Sequence, residues 1–227
     1  PPIQDVYVYE SQSDEFRCFN HNERVYRFLE NNADIQTIIL VARWAFYIEA
    51  AWFDNGEGGI EPEDVLYFDI TVEDKPDNEP SKNKLASFSQ AYVDSVRKLV
   101  GMGKKVILVY PTPEAGWNVP RYITSYNLFD PDNVFSLSTG STSYKVFKDR
   151  NKNAYQALDR IGEYPNLFRI YPENIFCNND LQHKCIVQKD GDILYQDDDH
   201  LSNAGARLVI KNIMSNESSG LAYAVAK

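Results

Sequence analysis

Asp197 and His200 lie three residues apart, directly before the last amphipathic segment of the chain. In a turn that leads into a helix, side chains at positions i and i+3 approach each other. The Asp197 carboxylate can then accept a hydrogen bond from Nδ1–H of His200. Such a bond fixes the ring tautomer and leaves Nε2 free to take a proton from a hydroxyl nucleophile. The spacing therefore indicates a general base and the carboxylate that orients it.

The same segment has simpler interpretations, because the pattern is short and residues 197–199 are all aspartates. A run of acidic residues is commonly a solvated loop. His200 could also do no more than hydrogen-bond the backbone at the start of a helix. From these residues alone, the general-base interpretation and the solvated-loop interpretation both stay open.

The chain has three cysteines, Cys18, Cys177 and Cys185. Residues rich in Asn and Asp separate the last two and suit a turn, so a local disulfide is one interpretation and would indicate an oxidising compartment. Two unrelated thiols are the alternative. A zinc site is disfavoured, because only His183 lies nearby as a further ligand. We expect the partner of Cys18 to lie elsewhere, in a segment that precedes Pro1.

Composition excludes several classes of function. The chain has 227 residues, of which 43% are hydrophobic and 25% charged, so it is long and apolar enough for a folded core. A net charge of −10 disfavours binding to nucleic acid. No apolar run is long enough for a membrane helix. Because the chain begins with Pro1-Pro2 and not with Met, we expect it to be a piece of a longer protein.

Hydrophobic periodicity alternates between helical and strand-like segments, which predicts an α/β protein with a parallel sheet and helices on both faces. Helices are predicted at 23–30, 81–100, 143–161 and 204–214, and buried strands at 35–42, 104–110 and 167–171. Residues 54–80 and 112–142 interrupt the alternation as long loop insertions, and the first includes a strand-like segment at 65–72. Both follow the carboxyl ends of strands, where open α/β sheets bind ligands. We expect residues 1–227 to form one domain.

Two further groups of side chains have a structural and a functional interpretation each. The second loop is rich in aromatic residues, which either line a sugar-binding rim or fix the loop to the core: Trp117, Tyr122, Tyr126 and Phe129. One face of the helix at 143–161 is basic. We expect this face to be solvated, and the alternative is that it contacts an anionic glycan. Its residues are Lys145, Lys148, Arg150 and Lys152.

The order of the motifs along most of the chain resembles the SGNH hydrolase superfamily. The resemblance is closer to the SGNH domain fused behind membrane-bound acyltransferase-3 proteins of bacteria. The matching features, in chain order, are Pro1-Pro2, residues 18–20, 39–44, 111–114 and 118–120, Pro172, Cys177 with Cys185, residues 191–195 and 197–202, and Gly205-Ala206.

The resemblance implies a three-layer α/β/α sandwich of the SGNH or flavodoxin-like type. It also implies catalysis in which a serine attacks an acyl carbonyl, with His200 as the general base and Asp197 as its orienting carboxylate. Asp198 and Asp199 have the wrong spacing for that role and are expected to lower the local potential or to face water. The resemblance implies no metal and no organic cofactor.

Two features depart from the family pattern. The family's nucleophile lies in a Gly-Asp-Ser motif on the first strand, and this chain contains no serine in such a setting, so we expect that strand and the serine to precede Pro1. The Ser-rich segment at 138–143 reads as a loop and a helix cap. The superfamily's Gly-x-Asn-Asp block is also absent. Arg43 and Trp44 occupy its place, and we expect them as oxyanion or substrate contacts; the alternatives are a structural arginine and a packing tryptophan.

The resemblance predicts the periplasmic domain of an O-acyltransferase, tethered through a membrane domain that delivers the acyl donor. Its acceptor would be a polysaccharide or glycolipid of the cell envelope, such as lipopolysaccharide O-antigen. A carbohydrate acetylesterase of the same type is an alternative, with water as the acceptor, and a non-catalytic glycan-binding module is another. Without the serine, we expect these residues alone to be inactive.

Overall fold

The structure is a computed structural model that describes residues 6–9, 17–49, 51–61, 69–72, 84–127 and 136–215. The helices in these ranges are α1 (Arg17–Asn31), α2 (Trp44–Glu49), α3 (Lys84–Gly101), α4 (Val119–Asn127), α5 (Tyr144–Asp159), α6 (Glu173–Phe176) and α7 (Asn203–Ser215). None of these helices combines the length and the apolar character needed to cross a bilayer. The strands are β1 (Val6–Tyr9), β2 (Thr37–Leu40), β3 (Asp69–Val72), β4 (Lys105–Val109), β5 (Thr142–Ser143), β6 (Leu167–Ile170), β7 (Lys184–Cys185), β8 (Gln188–Lys189) and β9 (Asp192–Ile193).

The chain forms two compact units, and the first comprises residues 1–51, 63–110 and 153–169. Its sheet has the strand order β2-β4-β6, and β2 pairs with β4 in parallel, with Leu40 opposite Leu108. Residues 106–109 of the central strand are almost fully buried, as a continuous apolar strand should be. Strands β1 and β3 form a separate antiparallel pair. The predicted α/β class with a parallel sheet and flanking helices is confirmed.

Trp44 anchors helix α2 in the core of the first unit. Its indole meets the ring of Tyr92 on α3 edge-on, with ring centroids 4.9 Å apart, and its Nε1 donates to the Val109 carbonyl oxygen at 2.8 Å. The α3 helix also packs against β4. Gly103 follows α3 with φ +74°, a left-handed conformation that lets the chain turn directly into β4.

Strand β2 is less buried than its apolar sequence predicts. The side chain of Ile39 is 46% exposed and that of Val41, just beyond the strand, is 58% exposed. The reason lies in strand order, because β2 is one of the two outer strands of the described sheet and pairs only with β4 among the described strands. Periodicity cannot distinguish an outer strand from a central one.

Helix α1 begins earlier than predicted and buries a different face. Val25 and Phe28 are exposed, whereas Asn22 and Tyr26 are buried. The Tyr26 hydroxyl donates to the carbonyl oxygen of Ser95 on α3 at 3.3 Å. The packed face is therefore formed by an asparagine and a tyrosine four residues apart, and not by the apolar Val25 and Phe28.

The second unit comprises residues 52–62, 111–152 and 170–227. It contains the antiparallel pairs β5-β7 and β8-β9, and the closing helix α7 buries Val209 and Ile213. Gly205 in the first turn of α7 lies against the Leu194 carbonyl oxygen, where any Cβ would collide with that oxygen. A disulfide joins Cys177 to Cys185, as predicted. The side chain of Cys18 lies outside the described residues.

The two stretches predicted as loop insertions contain regular structure, which is expected for the first at 65–72 but not for the second. Strand β3 lies in 54–80 and helix α4 lies in 112–142; residues 62–68, 73–80 and 128–135 fall outside the description. Asn118 caps α4, because its Oδ1 accepts from the Arg121 backbone N–H at 3.0 Å. A single domain over 1–227 stays a prediction.

Candidate active site

Asp197 and His200 lie in a tight turn between β9 and α7 in the second unit. The Gln196 backbone N–H donates to the His200 carbonyl oxygen at 2.9 Å, and Tyr195 forms an antiparallel bridge with Leu201. Ser202 then begins the helix, since its Oγ accepts from the backbone N–H groups of Ala204 and Gly205. The turn is therefore closed by backbone bonds on one side and by a helix cap on the other.

The Asp197 carboxylate holds both the turn and the imidazole ring. Its Oδ1 accepts from the backbone N–H of His200 at 2.7 Å and of Asp199 at 3.1 Å, and its Oδ2 lies 3.0 Å from Nδ1 of His200. Burial alone would raise the pKa of Asp197, but the two backbone N–H groups and the nearby imidazole lower it overall. The His200 side chain is 66% exposed, so the ring is open to a reacting hydroxyl.

The segment that follows β4 supports this turn through its backbone. The Ala115 N–H donates to the Asp198 carbonyl oxygen at 2.7 Å, and the Val119 N–H donates to the Asp197 carbonyl oxygen at 3.0 Å. The buried Tyr195 hydroxyl donates to the Pro113 carbonyl oxygen at 2.8 Å. Burial, with the charges of Glu114 and Asp199, strongly raises the pKa of Tyr195, so this phenol stays a hydrogen-bond donor.

Three carboxyl groups cluster behind the turn. The buried Glu61 accepts from the Phe53 N–H at 2.8 Å, and its side chain is hydrogen-bonded to that of Asp198. Burial, this bond and the charges of Asp199 and Glu61 raise the pKa of Asp198 to about 7. Asp199 completes the cluster, with its carboxylate oxygen 2.9 Å from Nδ1 of His200. The prediction that Asp198 or Asp199 simply faces water does not hold.

The cluster has the oxygen ligands that a hard cation prefers. One ligand atom from each of Glu61, Asp198 and Asp199 lies within 4.8 Å of the others, as is also true for Asp197, Asp199 and His200. However, a carboxyl–carboxyl hydrogen bond requires a proton on one partner. The close approach of Glu61 and Asp198 fits a proton shared by the pair, and we assign no metal to the cluster.

A short turn at residues 53–61 brings Glu61 to the cluster. Asn55 is fully buried at its centre: its Oδ1 accepts from the Glu57 and Gly59 N–H groups at 2.8 Å, and its Nδ2 donates to the Ala115 carbonyl oxygen at 2.7 Å. Gly116 has φ +77°, and a Cβ there would lie 2.6 Å from the Gly59 carbonyl oxygen. Only glycine permits this close approach of the two backbones.

A buried ion pair lies in the same unit. Nε of Arg150 on α5 is 3.0 Å from Oε2 of Glu114, and both side chains are almost fully enclosed. The guanidinium carbon also lies 5.7 Å from the centroid of the Phe53 ring. Arg150 therefore does not belong to the solvated basic face predicted for this helix, since its charge is paired with a carboxylate.

Comparison with known proteins identifies the family. A family model described as an SGNH domain fused to AT3 domains matches residues 1–215. The chain belongs to this family. Its fold is similar to that of a Salmonella ser. Paratyphi A lipopolysaccharide acetyltransferase periplasmic domain, with a TM-score of 0.56, 15% identity, and coverage of 94% of this chain and 67% of that chain. No curated protein matches the sequence.

The expected nucleophile of an SGNH domain is a serine, and Ser141, Ser143 and Ser202 in the second unit make other contacts. The Ser202 hydroxyl donates to the Ile193 carbonyl oxygen at 2.6 Å while it caps α7. In the Ser-rich segment, Ser141 Oγ donates to the Ser138 carbonyl oxygen at 2.9 Å, and Ser143 Oγ accepts from the Val146 N–H at 3.4 Å. These contacts fit the predicted loop and helix cap.

Arg43 and Trp44, the two predicted oxyanion or substrate contacts, lie in the first unit. The Arg43 guanidinium carbon is 4.8 Å from the centroid of the Phe46 ring, and its role as an oxyanion donor stays a prediction. Trp44 does not fit such a role, because the indole is buried and its N–H is bonded to the Val109 carbonyl oxygen. Its packing against Tyr92 explains the residue without a substrate.

The aromatic residues of the second loop are partly stacked on one another. The rings of Trp117 and Tyr122 are nearly parallel, with centroids 4.5 Å apart, and Tyr126 follows at 6.3 Å. Phe129 lies outside the described residues. Tyr122 and Tyr126 of this stack lie on α4, whose first residue, Val119, donates its backbone N–H to the Asp197 carbonyl oxygen. The contacts among the rings support the interpretation that they fix the loop.

Sequence reasoning missed Glu61, Asn55 and the role of Arg150. Glu61 follows a glycine-rich turn, and no periodicity or motif in the sequence connects it with residue 198. Glu114 had a usable signal, since it ends the Pro111-to-Glu114 segment that follows a buried strand and carries part of the family resemblance. Asp199 also had a signal, because it directly precedes the histidine, but its spacing argued against it.

Proposed function

We propose that this SGNH domain acts in an O-acyltransferase of the bacterial cell envelope, which moves an acetyl group to a hydroxyl of a polysaccharide such as lipopolysaccharide O-antigen. The observation that carries the proposal is the contact between Nδ1 of His200 and the Asp197 carboxylate at 3.0 Å, with the ring exposed. Family membership supports it, since relatives are fused to AT3 domains. The similar solved domain comes from a lipopolysaccharide acetyltransferase.

In the proposed reaction, His200 acts twice as a proton carrier. Nε2 first accepts the proton of a serine hydroxyl while the serine oxygen bonds to the acyl carbonyl carbon. The tetrahedral intermediate then expels the donor's leaving group, which takes the proton from His200. In the second half, Nε2 accepts the proton of a sugar hydroxyl that attacks the acyl-serine, and returns it to the serine oxygen. Asp197 stabilises the imidazolium that forms in each half.

The proposal assigns the remaining parts to the parent protein. The proposed nucleophile is a serine in the Gly-Asp-Ser setting that SGNH domains use, and a membrane domain delivers the acyl group. Periplasmic placement is supported by the Cys177–Cys185 disulfide, because such bonds persist in oxidising compartments. Arg43 remains our candidate donor to the oxyanion, as its guanidinium has fixed donors and a permanent positive charge.

One observation favours a second candidate function, a carbohydrate acetylesterase. With 66% of its side chain exposed, His200 is accessible to water as readily as to a sugar hydroxyl. Both functions use the same His200 and Asp197 chemistry and differ only in the acceptor.

Product analysis separates the two candidates. Full-length parent protein in membranes is supplied with an isotopically labelled acetyl donor and an envelope oligosaccharide, and label in the oligosaccharide is compared with free acetate. The proposal predicts that most of the label reaches the oligosaccharide. Free acetate as the only product would support the esterase and contradict the transferase. A parent that forms neither product would favour the non-catalytic glycan-binding alternative.

A further inference from the structure

Two carboxylates, and not one, flank the same nitrogen of His200. Nδ1 lies 3.0 Å from Oδ2 of Asp197 and 2.9 Å from Oδ1 of Asp199. A neutral imidazole has a single proton to donate at this nitrogen. Both carboxylates are therefore placed to accept the same Nδ1–H group, whereas the family resemblance assigns this task to Asp197 alone.

The two carboxylates differ in their other contacts. Asp197 is 33% exposed, and its second oxygen accepts the backbone N–H groups of Asp199 and His200, so it also stabilises the turn. The Asp199 side chain is only 10% exposed. A hydrogen bond in a less hydrated position is weakened less by competing water. Asp199 is therefore the better shielded of the two acceptors.

The surroundings of Asp199 bring other carboxyl groups close to it. Glu61 and Asp198, whose side chains share a hydrogen bond, each have a ligand oxygen within 4.8 Å of one on Asp199. Glu114, whose charge also acts on the buried Tyr195, is paired with Arg150. Asp199 therefore lies between these groups and the imidazole of His200, whose Nδ1 is 2.9 Å from its Oδ1.

We propose that Asp199 is a second positioning carboxylate for His200. The inference deepens the proposed function, since it rests on His200 as the general base. Asp199 acts through His200 and does not touch the reacting atoms. Loss of either Asp197 or Asp199 then leaves one acceptor to hold the Nδ1–H tautomer, and loss of both leaves none.

The ring tautomer of His200 tests the inference without any need for acyl transfer. Proton–nitrogen correlation NMR on the 227-residue chain, labelled at histidine nitrogens, resolves the tautomers of three imidazoles, with His21 and His183 as internal references. We expect the Nδ1–H tautomer in the wild type and in Asp197→Asn. Adding Asp199→Asn to Asp197→Asn should shift the tautomer ratio about tenfold or more towards Nε2–H, as expected for the loss of a charge-assisted hydrogen bond.

Two results would overturn the positioning role of Asp199. If Asp197→Asn alone abolishes the Nδ1–H tautomer, or if adding Asp199→Asn changes nothing, then Asp199 is not a positioning residue. Should the double variant fail to fold, the single Asp199→Asn variant decides: we expect exchange of the Nδ1–H proton with water to accelerate about tenfold, and an unchanged rate would overturn the proposal.

Three control variants test whether the effect belongs to Asp199 as a hydrogen-bond acceptor or to any nearby carboxyl group. Glu61→Gln and Asp198→Asn each replace the shared proton with an amide donor and keep a single negative charge on the pair, so the tautomer should be unchanged. Asp190→Asn removes an exposed carboxylate at φ +53°, a conformation that asparagine also adopts, and should have no effect. A tautomer shift in these controls equal to that of Asp199→Asn would contradict a specific role for Asp199.

Activity of the parent protein distinguishes the proposed acyl transfer from the positioning role of Asp199. With Asp199 as a positioning residue, Asp199→Asn should lower kcat for transfer and leave KM unchanged. If the parent transfers no acyl group while the tautomer responds as predicted, the proposed function fails and the positioning role stands. If transfer occurs while the tautomer does not respond, only the positioning role fails.

Discussion

The buried carboxyl group of Glu61 is hydrogen-bonded to the carboxyl group of Asp198, directly beside the turn that holds His200 against Asp197. Two carboxyl groups share such a bond only while the pair carries a proton. Burial, the bond itself and the neighbouring charges raise the pKa of Asp198 to about 7. The structure of the turn is therefore linked to a proton that is lost near neutral pH.

The proton on the Glu61–Asp198 pair should make the free energy of unfolding depend on pH. The pKa of Asp198 is about 7 in the folded state and 3.8 in an unperturbed aspartate, so between these values the folded state binds more protons. Its free energy of unfolding should then fall as the pH rises from about 4 to about 7, by on the order of 1–2 kcal/mol after allowance for solvent screening.

Chemical denaturation at several pH values measures this effect. Glu61→Gln and Asp198→Asn should each remove the falling component, because an amide replaces the shared proton, whereas the control Asp190→Asn should retain it. Asp197, with its lowered pKa, contributes in a separate window, where stability is lost as the pH falls below about 4. Parallel pH profiles for the wild type and Glu61→Gln would show that the pair holds no proton.

A second prediction concerns the buried ion pair. Arg150→Met leaves the Glu114 carboxylate enclosed without its partner and should lower the free energy of unfolding by about 3 kcal/mol. Lys145→Met on the same helix is the matched control: its side chain is 84% exposed, so the change should stay within about 0.5 kcal/mol. Adding Glu114→Gln to Arg150→Met should recover part of the loss. Equal effects of the two methionine variants would contradict a specific contribution from the pair.

A third prediction compares two glycines in left-handed conformations. Gly58 has φ +98° with open space around it, and Gly116 has φ +77° with the Gly59 carbonyl oxygen in the way. Gly58→Ala should therefore lower the free energy of unfolding by about 1 kcal/mol, through backbone strain alone. Gly116→Ala should lower it by about 2 kcal/mol more, since two backbones must also separate. Thermal or chemical unfolding measures both, and similar values for the pair would argue against the close approach of the 53–61 turn.

A fourth prediction concerns the disulfide. Replacing Cys177 and Cys185 with serine should lower the free energy of unfolding by about 2–3 kcal/mol, the loop-closure contribution for a separation of eight residues. Unfolding of the wild type with and without a reductant gives an independent measurement of the same bond. If the reductant and the double substitution both leave stability unchanged, the bond has no stabilising role.

Sequence patterns predicted the parts of the fold that depend on local chemistry. Strand β4, helices α3 and α5, and the Cys177–Cys185 bond follow from periodicity, turn residues and spacing. Patterns failed where burial depends on strand order or on partners distant in the chain. Ile39 lies on an outer strand and Val41 directly after it, and both apolar side chains are exposed. Tyr26 is buried because it packs against α3, where its hydroxyl donates to the Ser95 carbonyl oxygen.

The same division applies to the candidate site. The spacing of Asp197 and His200 predicted their contact, because a tight turn before a helix brings them together. Glu61 could not be predicted, since its position depends on Asn55 and Gly116. The Asn55 side chain donates to the Ala115 carbonyl oxygen of the other loop, and Gly116 allows the two backbones to approach closely. Arg150 could not be predicted either, because only the fold places a carboxylate opposite it.

The role of His200 as the general base is the central claim, and acetyl transfer by the full-length parent protein tests it most directly. His200→Ala should reduce the rate of transfer about 10³-fold or more, as loss of the base does in related serine chemistry. Because the side chain is largely exposed, the free energy of unfolding should change little. His21→Ala, an exposed histidine on α1, is the matched control and should transfer at the wild-type rate. Transfer by His200→Ala within about tenfold of the wild-type rate would contradict the account.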